Sequence, residues 1–140
     1  MKIVLAADGS KFTKKALAFL VTHESLAGPD DEVVVVHSQL ALPPRVQAAV
    51  GSKVAKEYQA EEAEKVLAPI RKFLDKHDIA HREEWSVGMA DEQILKAAKK
   101  AKAHMIVMGT HGHGMIGRAF LGSVAQKIVT EADVPVMLVK

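Results

Sequence analysis

The chain contains no cysteine. This absence excludes disulfide bonds, zinc sites built on thiolates, iron–sulfur ligation by cysteine and a cysteine nucleophile. Long apolar runs are missing as well, since none approaches the ~20 residues that span a bilayer. The apolar start of the chain, residues 1–7, is interrupted by Asp8, too soon for the apolar segment of a signal peptide. We therefore expect a cytoplasmic protein with no membrane partner.

An excess of charge of one sign is also missing. Lys and Arg number 19 against 17 Asp and Glu, a formal net charge of +2. The lysine-rich stretch at 96–102 contains no aromatic residue on which bases would stack, and it is typical of a solvated helix face. Because nucleic-acid binding needs a concentrated basic face, we expect no nucleic-acid partner. The length of 140 residues predicts one domain over residues 1–140.

Strand and helix patterns alternate along the chain. Short β-branched runs bounded by turn signals predict five strands, at residues 2–7, 32–37, 80–87, 104–108 and 134–139. Amphipathic patterns predict four helices between them, at residues 13–26, 52–77, 91–102 and 122–132. Alternation of this kind indicates an α/β fold, in which an open parallel sheet carries helices on both faces.

The character of each strand predicts its place in the sheet. Buried parallel strands form continuous apolar runs, as the first, second and fourth strands do. The third strand is polar, with the sequence HREEWS at 81–86, and suits an edge. The fifth contains Pro135, which a central strand does not easily accommodate. These features favour the five-stranded order 3-2-1-4-5, a Rossmann-like arrangement.

Punctuating residues carry local expectations. Gly28 and Pro29 are expected to stop the first helix. Pro69 is expected to kink or split the second helix, because its ring clashes with the preceding turn. Asp91 is expected to be the N-cap of the third helix. Residues 38–51 are expected to lack regular structure.

The strand order brings two unusual loops together. In an open α/β sheet, ligands bind beyond the carboxyl ends of the strands where the order reverses, here between the first and fourth strands. The first strand leads into Asp8, and the fourth into residues 109–123, which hold five of the nine glycines. Successive N–H groups in such a loop bind anions, and Gly122-Ser123 opens a helix whose N-terminus adds further donors. We therefore expect a phosphate site in this crevice.

The loop differs from two common phosphate-binding motifs. A P-loop requires a lysine immediately before its Ser or Thr, and here Gly122 precedes Ser123 directly. Residues 112–117 match the letters of the dinucleotide fingerprint, but they follow the fourth strand instead of the first, and no helix begins there.

Side chains near these loops leave several chemistries open. Asp8 suits ribose hydroxyls or a phosphate-bound Mg²⁺, and equally a cap of the first helix or an Asp-Gly turn. His111 and His113 are of a residue type that binds zinc or copper, but no third ligand lies near them in the sequence. Ser10 lacks the elbow motif of a hydrolase nucleophile. His37 is expected to be a packed histidine bonded to the backbone.

The spacing of the glycines is similar to a known signature. Gly109-x2-Gly112-x9-Gly122-Ser123 resembles the nucleotide-binding motif of the universal stress protein family, in its ATP-binding branch. Another branch of that family lacks the motif. The similarity extends over the whole chain, through IVLAADGS at 3–10, VVVVH at 33–37, IVMG at 106–109, LGSVA at 121–125 and VPV at 134–136.

This resemblance implies a stress-response domain that binds ATP, with Mg²⁺ on its phosphates. Carried over to this chain, Asp8 would face the ribose and adenine, and backbone groups of Ala6 and Ser38 would bracket the adenine. The ribose and phosphates would be held by Gly109, Gly112, Gly122, Ser123 and Val124.

Three functions remain open from the sequence. One is a nucleotide-dependent regulator whose ATP-bound state is read by a protein partner that the sequence does not identify. Another is an enzyme that hydrolyses ATP slowly, and the third is a metal-binding domain built on His111 and His113. The sequence offers no clear base to orient water, and Arg118 is the one obvious cation of the loop. These features favour the regulator.

The last strand predicts self-association. Residues 134–139 are almost wholly apolar, yet the strand order puts them at an edge, where unpaired backbone groups invite another strand. Pairing with a second copy across a two-fold axis would close the assembly at two. The family resemblance also implies a homodimer, and we expect one through the C-terminal strand.

Overall fold

The computed structural model describes residues 1–112 and 121–140. Nine elements alternate between strand and helix, namely β1 (Lys2–Ala6), α1 (Lys11–Val21), β2 (Glu32–Gln39), α2 (Pro44–Lys76), β3 (His81–Val87), α3 (Ala90–Ala101), β4 (Met105–Gly109), α4 (Ser123–Glu131) and β5 (Val136–Val139). No helix within these ranges is long and apolar enough to cross a membrane.

The five strands form one parallel sheet in the order β3-β2-β1-β4-β5, which confirms the predicted order. The central strand β1 pairs with β2 on one side and β4 on the other, so that Val4 lies between Val34 and Ile106. Because β2 and β4 lie on opposite sides of β1, the chain reverses its direction of winding there. A crevice follows at the carboxyl ends of β1 and β4.

Alternate side chains of the central strands face opposite sides of the sheet and form two cores. Ile3 and Leu5 pack with α1 and α2 in one cluster, together with Leu20 and Leu67. Val4 faces the other side, in a second cluster formed with α3 and α4. Burial on both faces explains why these strands are continuous apolar runs, and it confirms helices on both faces.

The two edge strands differ in how they are protected. On β3, the Arg82 guanidinium lies 2.7 Å from the Glu32 carboxylate and also contacts Glu84. These charges oppose pairing with another strand. On β5, the residues from Val136 to Val139 are half-buried and apolar, with only Pro135 before them as a break.

Helix boundaries depart from the sequence expectation at two places. Helix α1 ends at Val21, not at Leu26, and the Thr22 hydroxyl donates to the carbonyl groups of Ala18 and Phe19 in the last turn. Helix α2 begins at Pro44, so most of the stretch expected to be structureless is in fact strand or helix.

The break in α2 lies at a glycine and not at the proline. Gly51 has φ 83° and ψ 163°, a conformation open almost only to glycine, and it separates the residues before it from the main helix. Pro69 lies inside the helix without splitting it. Pro69 and Lys65, four residues earlier, are both exposed, so water can bond the carbonyl that proline leaves without a donor.

Candidate functional site

A cavity of about 250 Å³ lies at the predicted crevice. Its walls come from the carboxyl ends of β1, β2 and β4, the first turns of α3 and α4, and the loop after β4. All eight residues that the sequence singled out line it: Ala6, Asp8, Ser38, Gly109, Gly112, Gly122, Ser123 and Val124. The structure thus brings together residues up to 118 positions apart in the chain.

Asp8 organises the turn between β1 and α1. Its Oδ1 accepts hydrogen bonds from the Ser10 N–H at 2.9 Å and from the Thr13 hydroxyl at 2.9 Å. The Asp8 N–H in turn donates to Thr13 Oγ1 at 3.2 Å. The bond to the N–H of Ser10, two residues further on, is the Asp turn that the sequence left open, whereas the N-cap Ser10 makes no side-chain capping bond. These bonds fix the orientation of the carboxylate. The other oxygen, Oδ2, faces Gly112.

Three glycines allow the loop after β4 to approach its neighbours. A Cβ on Gly112 would lie 2.6 Å from Asp8 Oδ2, and one on Gly109 would overlap the Cβ of Phe12. Gly122 donates its N–H to Thr110 O at 2.8 Å, and a Cβ there would lie 3.1 Å from the same oxygen. Real Cβ atoms essentially never come closer than 3.0 Å, so a side chain at Gly109 or Gly112 would force Phe12 or Asp8 to shift.

The start of α4 faces the same cavity. Gly122 is its N-cap, with extended φ and ψ, and no side chain caps the helix. The first turn of a helix carries N–H groups that have no acceptor within the helix and a partial positive charge. Ser123 and Val124 of this turn line the cavity, which makes this end of the site suited to an anion.

The opposite end of the cavity is built from β1 and β2. Ala6 pairs with Val36, and both line the cavity with small or apolar side chains. The Ser38 hydroxyl donates to Gly88 O at 2.8 Å and ties the end of β2 to the turn after β3. His37 is buried, and its Nδ1–H donates to the carbonyl oxygen of Ala7 at 2.8 Å, which confirms the packed histidine.

A group of side chains next to His111 was not predicted from the sequence. The Phe12 ring lies 5.4 Å from the His111 ring, and His111 lines the cavity. The ammonium groups of Lys11 and Lys15 lie 5.3 and 5.9 Å from the centre of the Phe12 ring. A helix N-terminus normally favours acidic residues, but the first turn of α1 has none. The lack of acidic residues in this turn was the feature of the sequence that could have pointed to these side chains.

Asp91 has a different role from the expected one. The N-cap of α3 is Met89, whereas Asp91 lies inside the first turn, buried, with its Oδ2 2.7 Å from the Lys127 ammonium of α4. The hydrogen bond from Lys127 lowers the pKa of the Asp91 carboxyl. The pattern of α3 alone could not reveal a partner on another helix.

The metal hypothesis gains no support from the described residues. Residues 1–112 and 121–140 contain no group of three or more His, Asp or Glu side chains placed to hold a metal ion. His111 Nδ1 lies 3.0 Å from the Thr110 hydroxyl. His113 and Arg118 lie outside the described residues.

Comparison with known proteins places the chain in a family. The model of the universal stress protein family matches residues 1–140. A universal stress protein of Thermus aquaticus, encoded 3' of a sulfhydrylase gene, is 37% identical over 140 residues, which cover 99% of this chain and 97% of that protein. MJ0531 of Methanocaldococcus jannaschii, also a universal stress protein, is 31% identical and is covered to 81%.

Solved structures share the fold. The structure of MJ0577 matches with a TM-score of 0.84 and 25% identity, covering 99% of this chain and 94% of the other. A universal stress protein of Archaeoglobus fulgidus, solved in complex with dAMP, matches with a TM-score of 0.72 and 26% identity, covering 100% and 98%. The whole-length match of sequence and fold shows that this chain belongs to the universal stress protein family.

Proposed function

We propose that the protein binds ATP in the cavity between β1 and β4 and that its nucleotide-bound state is the signal that partners read. The observation that supports this proposal most is that the two ends of the cavity differ in chemical character. At one end, the N-terminus of α4 lies beside Gly109, Gly112 and Gly122. At the other end, Ala6 and Val36 form a small apolar recess. An anion suits the first end and a planar base the second. The related Archaeoglobus fulgidus protein holds dAMP.

The residues present also fit a magnesium ion carried on the phosphates. Asp8 is the one carboxylate among the described residues that line the cavity, and its Oδ1 already accepts two hydrogen bonds. Mg²⁺ commonly keeps several waters and binds through phosphates with one or two carboxylates. Asp8 would therefore contribute at most a single oxygen, and the ion would neutralise charge on the phosphates.

Nucleotide titration tests the proposal. Isothermal titration of the full chain with ATP in the presence of Mg²⁺ should give saturable binding, and GTP at equal concentration should bind more weakly. The physical reason is that backbone groups of Ala6 and Ser38, at strand ends that line the cavity, would recognise one edge of the base. Equal affinity for ATP and GTP would contradict an adenine-specific recess, and no binding of either would contradict the function itself.

Slow ATP hydrolysis is the second candidate. His111 lines the cavity and is the residue type most used to accept a proton from water. Its Nδ1 is engaged with Thr110, which orients the ring. Prolonged incubation with ATP and Mg²⁺, beside the variant His111→Gln, separates the two functions. Release of phosphate by the wild type and not by the variant would support an enzyme, whereas ATP that stays intact on the protein would support a regulator.

A further inference from the structure

A buried carboxylate joins the two helices that form one wall of the cavity. Asp91, in the first turn of α3, has 6% of its surface exposed. Lys127 of α4 reaches it across the gap, and its ammonium lies 2.7 Å from Asp91 Oδ2. Lys127 follows Ser123 by four residues, so the two lie on the same face of α4 about one turn apart.

The ion pair lies directly behind the cavity wall. Ala90, next to Asp91 in the chain, lines the cavity with Ile94 from the same helix. From α4, the lining residues are Ser123, Val124 and Ala125. The spacing of α3 and α4 therefore affects the width of the cavity beside Ser123, the end at which we expect the phosphates.

The physical role of such a pair is geometric more than stabilising. Taking the Asp91 carboxylate out of water costs free energy that its attraction to the Lys127 ammonium only partly returns, because the Lys127 side chain is 47% exposed. A pair of this kind seldom stabilises a fold more than apolar residues would. The other α3–α4 contacts in this region come mainly from alanines and Ile128. Apolar contacts of this kind are non-directional, whereas an ammonium on a carboxylate fixes both distance and direction.

We propose that Asp91 and Lys127 are positioning residues that hold the N-terminus of α4 where it meets the phosphates of the nucleotide. The inference rests on the proposed function and deepens it. According to this inference, the pair causes the protein to prefer phosphorylated adenine nucleotides over adenosine. The recess at Ala6 and Val36 is formed by paired residues of β1 and β2, which the sheet holds in register, so we expect recognition of the base to depend less on the pair.

The test compares ATP with adenosine. Asp91→Asn removes the buried charge with little change of shape, and Lys127→Met keeps most of the side-chain stem. Either variant should weaken ATP binding about tenfold, the equivalent of about 1.4 kcal/mol. Adenosine binding should stay within about twofold of the wild type, the scatter expected for independent sites. A purely structural role would not change this ratio, because loss of fold lowers both affinities together.

A matched control and a double variant complete the experiment. Lys99→Met removes another ion pair, to Asp133 at 3.6 Å, which also links α3 to the chain near α4 but is highly exposed. It should leave both affinities unchanged. The double variant Asp91→Asn/Lys127→Met leaves no unpaired buried charge, so it should regain the thermal stability lost in Lys127→Met while binding ATP no better than either single variant.

The outcomes separate this inference from the proposed function. Equal weakening of ATP and adenosine, or no change in either, would overturn the positioning role while leaving nucleotide binding in place. The inference would also be overturned if the losses of ATP affinity in the two single variants added up in the double variant. Breaking either half of the pair should already release the N-terminus of α4, so the second substitution should cost no further affinity. A wild type that binds neither adenosine nor ATP would overturn the proposed function, and this inference with it.

Discussion

The backbone of Gly112 lies against the carboxylate of Asp8, so close that a Cβ on the glycine would come within 2.6 Å of Asp8 Oδ2. The two residues belong to loops that follow different strands, 104 positions apart. Asp8 Oδ1 is held by Ser10 and Thr13, so the carboxylate cannot turn away without breaking the start of α1. Contact between the loops of β1 and β4 thus depends on the absence of a single methyl group.

The first prediction follows from that contact. Gly112→Ala should weaken ATP binding by tenfold or more, about 1.4 kcal/mol or above, because the loop must move away from Asp8. Isothermal titration measures the affinity. Gly51→Ala is the control, since Gly51 lies outside the cavity but has positive φ with open space around it. It should lower stability by about 1–3 kcal/mol and leave ATP affinity unchanged. Equal affinities in Gly112→Ala and wild type would contradict the assignment.

Asp8 should show two separable roles. Asp8→Asn retains an oxygen that can accept from Ser10 and Thr13, so the thermal midpoint should change little. ATP affinity should fall about tenfold, because the negative charge that would bind the magnesium ion or the ribose hydroxyls is lost. Asp8→Ala also removes the interactions that fix the start of α1, and should cost about 1 kcal/mol of folding stability in addition. Thermal unfolding and titration of both variants measure the two effects. If Asp8→Asn and Asp8→Ala lost the same folding stability, the two roles of Asp8 would not be separable.

The Asp91–Lys127 pair should give stability a defined dependence on pH. The pKa of Asp91 is lowered below its ordinary 3.8, so the pair's contribution is present above about pH 4 and is lost as pH falls through the folded value. The pKa of Lys127 is raised above 10.5, so the contribution is also lost as pH rises through its folded value. Urea unfolding of wild type and Asp91→Asn should therefore differ most between these limits. If the free energies of unfolding of wild type and Asp91→Asn differed by the same amount at every pH, the ion pair would not be the source of the difference.

The lysines at the start of α1 should favour charged ligands. The ammonium groups of Lys11 and Lys15 lie 5.3 and 5.9 Å from the centre of the Phe12 ring, which in turn lies 5.4 Å from the ring of His111 in the cavity lining. Lys11→Gln/Lys15→Gln should weaken ATP more than AMP, by a few-fold, and the difference should disappear at high salt. Lys72→Gln/Lys76→Gln removes the same charge from the far end of α2 and is the control. The same loss in both double variants would indicate net charge alone.

We propose that the protein is a homodimer of about 30 kDa, twice the 15.1 kDa chain, joined through β5. The carbonyl groups of Pro135 and Val139 accept bonds from β4, so the backbone of Val136 and Leu138 points to the open edge. Leu138→Pro removes one outward donor and should shift the population to monomer, measured by light scattering after size exclusion. Leu138→Ala keeps the donor and should remain dimeric. A monomeric wild type at high concentration would exclude the dimer.

The sequence by itself determined the fold and the place of the site. Continuous valine and isoleucine runs favoured burial on both faces, and a polar third strand and Pro135 favoured edges, which is consistent with the order 3-2-1-4-5 that the structure has. That order fixes where the loops of β1 and β4 converge. Glycine spacing then pointed to Gly109, Gly112 and Gly122, because close backbone approach has a local signature in composition. The family resemblance added Ala6, Ser38 and Val124.

Tertiary structure decided what depends on partners distant in the chain. The position of Asp91 in the first turn of α3 suggested a cap, but only packing of α4 beside it supplied Lys127. Likewise, Pro69 was the expected break in α2, but the helix continues through this exposed proline. The kink lies at Gly51 instead. Local sequence encodes backbone preference and periodicity. Which charged side chains meet, and which backbone groups water can reach, is set only when the helices dock on the sheet.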